Sequence, residues 1–420
     1  MPPVGSVMAI HLRELASVST PTPRRDRVAQ NDERILNAAV VVLNRFGMDG
    51  LTARRVAEQA GLSTGAVYGR FESIDELLIE VWTQRLKDVV LAGLQRSIQM
   101  ADPQVEDAPS EVPESFDPVA EQLGAFLIAL APRSEVLSEV VVPDVAEWLD
   151  SVGVGHGHPP EARARRAIAV GAYFGAMLNG AVSDALHPDW VLCLRWWETA
   201  RSRAPLAVSP PLRDLPAARI AVETGDAELD ALLLATGEVM SRSGVVGTTI
   251  TRIARRAGLP RTAVYTHFDS KDDLVMACVF QATASASASS RRLKTLRTRD
   301  GVALVATRIT DPASRAWRRR RIEGLLAAVS NPALASAVLR AEVESENELI
   351  LSIGLVDVES EYGLRQLLRF FEVLMTGLSV VPEVSTVFEG IDWRVAVSPL
   401  TELALAEVFG AEPTSLLQSS

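Results

Sequence analysis

The sequence predicts an all-α protein made of two tandem units, and three observations carry that expectation. At 420 residues the chain exceeds what one core usually serves. Ala, Leu and Val dominate, and the apolar residues recur at helical spacing instead of alternating. Residues 31–80 laid on 228–277, a shift of 197, align without a gap at 19 identities, among them Gly47/Gly244, Thr52/Thr249, Gly61/Gly258, Tyr68/Tyr265 and Phe71/Phe268. The shift persists where FGAMLNG at 174–180 meets FEVLMTG at 371–377, and Asp189-Trp190 is echoed by Asp392-Trp393. The duplication therefore spans almost the whole chain.

Taken in order, residues 1–28 read as a disordered basic arm, with Arg24, Arg25 and Arg27 ahead of the first helix. Ile35, Leu36, Ala39, Leu43 and Phe46 then form an apolar helical stripe that stops at Gly47. Thr52 is placed to cap a second helix whose Val56, Ala57 and Ala60 point inward, and Gly61 supplies the sharp turn. Ser63 caps a short third helix, with Ala66 and Val67 inward and Thr64, Gly65 and Tyr68 sharing the outer face. This head covers 29–75 and a helical domain covers 76–200, within which the acidic, proline-bearing stretch 101–118 reads as a mobile loop. A Pro-rich linker, RSRAPLAVSPPLRDLPAARIAVETGD, occupies 201–227. The second head follows at 228–272, the second helical domain at 273–412 and a tail at 413–420. QATASASASSRR, inside the second domain, reads as a weak helix of small residues or a loop.

A net charge of −11 argues against a protein that coats nucleic acid without specificity, yet the sum hides local sign. Across 51–71 stand Arg54, Arg55 and Arg70 against Glu58; across 248–268 stand Arg252, Arg255, Arg256 and Arg261 against no acid. Two basic islands in an acidic chain coincide with the repeat.

Other chemistry is sparse. The two cysteines, Cys193 and Cys278, lack a CxxC or Cys/His partner, so neither a disulfide framework nor a zinc site is expected. His156 and His158 sit in a Gly/Pro loop that reads as solvated, and RAWRRRR at 315–321 reads as a solvated helix face. With no phosphate loop, nucleophile elbow or paired acid and base, no enzyme, catalytic residue, metal or cofactor is expected. The N-terminus lacks a signal peptide's apolar stretch, and the longest apolar run is short of the roughly 20 residues of a membrane span. A cytoplasmic protein is the expectation.

RILNAAVVVLNRFGMDGLTARRVAEQAGLSTGAVYGRFESIDELL resembles the helix-turn-helix head of TetR-family regulators, and DALLLATGEVMSRSGVVGTTITRIARRAGLPRTAVYTHFDSKDDLV fits at least as well. Two such units on one chain resemble the tandem members of that family. The resemblance implies that Thr52, Thr249, Tyr68 and Tyr265 donate to phosphates, which set register without reading sequence. It implies base contacts from Ser63, Thr64, Gly65 and Arg70 in the first head and from Pro260, Arg261, Thr262 and His267 in the second. Lys271 fills the family's lysine position at the start of helix four; Ile74 does not. Pro260 is expected at a first helical position, where its missing N–H costs nothing.

The resemblance further implies helical regulatory domains with an apolar ligand cavity, for which Phe126, Trp148, Tyr173, Phe174, Met177, Phe370, Phe371 and Met375 are candidates. Each is equally well a core residue. The last two helices of each unit would form a four-helix interface, so that the chain pairs with itself as an intramolecular pseudo-dimer. The expected partners are a double-stranded DNA operator with two unlike half-sites and a small apolar effector, with repression the sign by family analogy. Further association of chains is left open. The alternative is a helical ligand-binding or protein-interaction module whose heads no longer bind DNA.

Overall fold

The computed structural model describes residues 24–102, 117–202, 222–292, 301–353 and 358–409. The expected loop at 101–118, the linker at 201–227 and the tail lie largely or wholly outside the described residues. The first unit runs α1 (Arg24–Phe46), α2 (Ala53–Ala60), α3 (Thr64–Tyr68), α4 (Ile74–Val81), α5 (Lys87–Ala101), α6 (Pro118–Leu130), α7 (Glu135–Ser151), α8 (Pro160–Val182) and α9 (Trp190–Ser202). The second runs α10 (Ala227–Gly247), α11 (Ile250–Ala257), α12 (Arg261–His267), α13 (Lys271–Arg292), α14 (Gly301–Thr310), α15 (Arg315–Ser330), α16 (Pro332–Ile353), α17 (Val358–Val384) and α18 (Arg394–Phe409). No strand occurs among the described residues, and none of their helices is long and apolar enough to cross a membrane.

Local chemistry sets the head boundaries. The Thr52 and Thr249 hydroxyls each accept a backbone N–H three residues on, from Arg55 and Arg252, both at 3.3 Å. Helices α2 and α11 end on Gly61 and Gly258 at φ 63° and 72°, a left-handed conformation that would strain a residue with a Cβ. Val56, Ala57 and Val67 are buried in the first head, as are Ile253, Ala254 and Val264 in the second.

Two expectations are corrected and one open alternative is decided. Arg24, Arg25 and Arg27 belong to α1 and not to an arm before it, because RRDRVAQ consists largely of good helix formers that continue the helix toward the N-terminus. QATASASASSRR is helical, continuing α13 to Arg292, since alanine costs no side-chain entropy in a helix. Its counterpart in the first unit is interrupted by a π-helical turn at Trp82–Leu86 between α4 and α5. The arginine run is no solvated face. Arg315, Arg318 and Arg319 converge on Glu383 of α17 at 3.2, 2.9 and 2.9 Å, and Arg320 donates to the Cys278 carbonyl at 3.2 Å. Arg318 is 2% exposed; burial pushes its pKa down while Glu383 opposes that, holding the guanidinium charged.

The units meet chiefly where α8 crosses α17. A Cβ on Gly175 would overlap the Val373 carbonyl oxygen, and one on Gly377 would overlap the Gly171 carbonyl, so the backbones approach as only glycine allows. Around that crossing Phe174, Leu374 and Leu378 are fully buried, each side chain contributing about 1.5–3 kcal/mol by leaving water. Helices α9 and α18 flank it: Trp196 Nε1 donates to Glu407 at 2.7 Å, and Arg195 pairs with the same carboxylate. Arg163 of α8 donates to the Val387 carbonyl at 2.9 Å, and Gln366 of α17 accepts the Asp189 N–H at 2.8 Å.

Candidate nucleic-acid interface

Each head presents the outer face of its third helix to solvent. In the first, Ser63, Thr64, Gly65 and Tyr68 are exposed, Tyr68 by 58%. In the second, Pro260, Arg261, Thr262 and Tyr265 are exposed, Tyr265 by 54%. A large ring half in water is poorly explained by packing, and its hydroxyl is free to donate outward. The capping hydroxyls of Thr52 and Thr249 accept backbone N–H groups, which leaves their own protons for an acceptor outside the head.

The third helices start differently. Ser63 caps α3 by accepting from Ala66 N at 3.2 Å. Pro260 stands one residue before α12, as its N-cap, and not at the first helical position; its φ of −68° and ψ of 154° are the extended pair an N-cap needs, and Arg261 opens the helix. There is no side-chain acceptor there, and Ala263 N bonds the Pro260 carbonyl at 3.1 Å.

Two proposed base contacts are turned away from the outer face. Arg70 pairs with Asp32 of α1 at 2.9 Å, and His267, at the equivalent position, lies 3.3 Å from Glu228 of α10. Both tie the end of the third helix to helix one, because a nitrogen donor there lies within reach of an acid on that helix. Arg55 and Arg252 are also structural: each donates to the carbonyl of the turn before helix two, at Gly50 and Gly247, both at 2.8 Å. In the first head Arg55 also lies 4.6 Å above the Phe46 ring, a contact the second lacks because Ser243 replaces the ring. Lys271 Nζ donates to the Val245 carbonyl at 3.4 Å and lies 3.8 Å from Asp272.

The remaining cations distinguish the heads. Arg54 is bound by Glu58 at 2.9 Å within α2. The position of Glu58 is Arg255 in the second head, and Arg255 and Arg261 are exposed and ion-paired to no described residue. Sequence reasoning left Arg255 out of the base- and phosphate-contacting set; its signal was the acid-to-arginine exchange at one position of the repeat.

Both heads are anchored by one short segment of the first regulatory domain, Ala131–Ser134. Ser134 donates to Asp75 at the start of α4 at 2.7 Å. Arg133 pairs with Glu323 of α15 at 2.7 Å and lies over Gly244, where a Cβ would collide with it.

Among the candidates for an apolar ligand site, Tyr173 and Phe370 line a cavity of about 220 Å³ between α5, α8, α9 and α17. Phe126, Trp148, Phe174, Met177, Phe371 and Met375 do not line it; Phe126 and Phe174 are core residues, 3% and 0% exposed, whose bulk fills the space it would need. Trp190, Trp197, Ala172 and Ala176 form much of the wall instead, and small residues were not a signal an aromatic-seeking reading weighs.

Residues 35–81 and 232–278 each match the family model described as bacterial regulatory proteins, tetR family. No curated protein matches the chain.

Proposed function

We propose that this protein, a DNA-binding transcriptional regulator of the TetR family with two units in tandem, pairs its own units and reads an operator with two unlike half-sites. The observation that carries this is the pair of exposed recognition faces, built on one frame and bearing different side chains. The heads, ending near residue 75 and spanning 228–272, would enter successive major grooves about 34 Å apart. Thr52, Tyr68, Thr249, Tyr265 and Lys271 would hold phosphates, while Ser63, Thr64, Gly65, Arg261 and Thr262 would meet base edges, with Pro260 shaping the start of α12. The crossing of α8 and α17 with α9 and α18 alongside supports pairing within one chain, because it has the make-up of a dimer interface joined covalently. Such pairing is independent of protein concentration.

A small apolar effector that binds better to a conformation with misplaced heads would release the DNA by population shift. Repression is the sign by family analogy. Selection of bound DNA from random duplexes tests the reading: two different half-sites at fixed spacing are expected, and a symmetric palindrome would contradict it. Mass measurement of the complex, expected at one chain per operator, tests the intramolecular pairing.

A further inference from the structure

The 197-residue shift sets Ile168, Ala169, Ala172 and Ala176 of α8 opposite Arg365, Gln366, Arg369 and Val373 of α17. In the first unit the small side chains leave the cavity of about 220 Å³. In the second, Arg365 and Arg369 both close on Glu346 of α16 at 3.0 Å, so the equivalent face carries an ion-paired cluster. Among the described residues, the face that is an apolar hollow in the first unit is a cluster of paired charges in the second.

The walls define what fits. Trp190 and Trp197 supply flat apolar surface, and Phe370, reaching across from the second unit, meets Trp190 edge-on at a centroid distance of 6.4 Å. Three of the wall's hydrogen-bond donors are already used: Tyr173 O–H on Glu121 at 3.2 Å, Ser97 O–H on the Ala169 carbonyl at 2.9 Å, and Trp197 N–H on the Ala101 carbonyl at 3.1 Å. Burial pushes the Cys193 thiol up to about 12, so it adds no charge at neutral pH. A ligand bringing a charge or unmet acceptors into such a wall would lose their hydration without return. A cavity of about 150 Å³ lined by aliphatic and aromatic side chains takes up benzene, which sets the scale.

We propose that the cavity between α5, α8 and α9, walled from across the unit boundary by Phe370, is a binding site for one uncharged aromatic molecule of one or two fused rings per chain, the equivalent face of α17 being taken by the Arg365 and Arg369 pairs with Glu346. As the effector site it rests on the ligand-responsive reading above; as a binding site it stands alone. Met100, 55% exposed, marks the way in. Because Phe370 belongs to α17, filling the hollow alters a contact between units and not only within one.

Equilibrium dialysis of the full chain against naphthalene tests it. Saturation at one molecule per chain is expected. Ala172→Arg, which copies Arg369, and Ala176→Phe, which fills the hollow, should each weaken retention by about tenfold or more, with helical circular dichroism and DNA binding kept. No retention, two molecules per chain, or undiminished retention by both folded variants would overturn the proposal. If naphthalene binds one per chain, is lost in the variants and leaves the DNA gel shift unmoved at saturation, the site stands and naphthalene-driven release of DNA falls.

Discussion

The two heads share a frame and differ in what their arginines do. Arg55 and Arg252 perform the same task in both, bonding the turn ahead of helix two, and Tyr68 and Tyr265 stand equally exposed. Beyond that, the first head pairs Arg54 with Glu58 and Arg70 with Asp32, whereas the second pairs Arg256 with Glu238 but leaves Arg255 and Arg261 exposed and ion-paired to no described residue. A paired surface cation offers less to a phosphate, since a new contact must displace the old one. The difference teaches that duplication preserved the parts that make a head and released the parts that decide how strongly, and to what, it binds.

The largest expected effect breaks the comparison outright. Arg255→Glu gives the second head the first head's residue and reverses a charge at the DNA face; affinity for the second half-site should fall about a hundredfold, two contacts' worth at 1.4 kcal/mol per tenfold. Titration by gel shift on operators altered in one half-site at a time checks it, and equal loss at both half-sites would deny that the heads act separately. Arg261→Thr, which copies Thr64, should cost about 1–3 kcal/mol and flatten the base preference at one position of the second half-site, visible in repeated selection. An unchanged preference would make Arg261 a phosphate contact. In the opposite direction, Glu58→Gln frees Arg54 in the first head; binding should tighten a few-fold, and the salt slope should steepen by about one. The smallest effect sharpens what is shared: Thr52→Ala and Thr249→Ala should each remove about 1 kcal/mol of cap stability, by equal amounts, in thermal denaturation. A large inequality would show that the two frames are not equivalent.

What was legible in the sequence was local. Thr52, Gly61 and Ser63 announce themselves because a cap or a left-handed turn is decided within three or four residues, and the structure uses them so. Arg70 and His267 read from the sequence as base contacts, but their acid partners Asp32 and Glu228, nearly forty residues earlier, become neighbours only after helix one folds back. The arginine run at 315–321 misled for a similar reason: its partners, Glu383 and Glu372, lie on α17, and no spacing rule connects them. The cavity was invisible as such. Aromatic residues are easily picked out, but its room comes from Ala172 and Ala176, whose smallness means nothing until the facing helices are in place.

Arg133 and Ser134 are neighbours in the chain, yet one lies over Gly244 of the second head and the other holds Asp75 of the first. One short stretch of the first helical domain thus touches both halves of the protein, each through a different side chain, so substitutions one residue apart reach different heads.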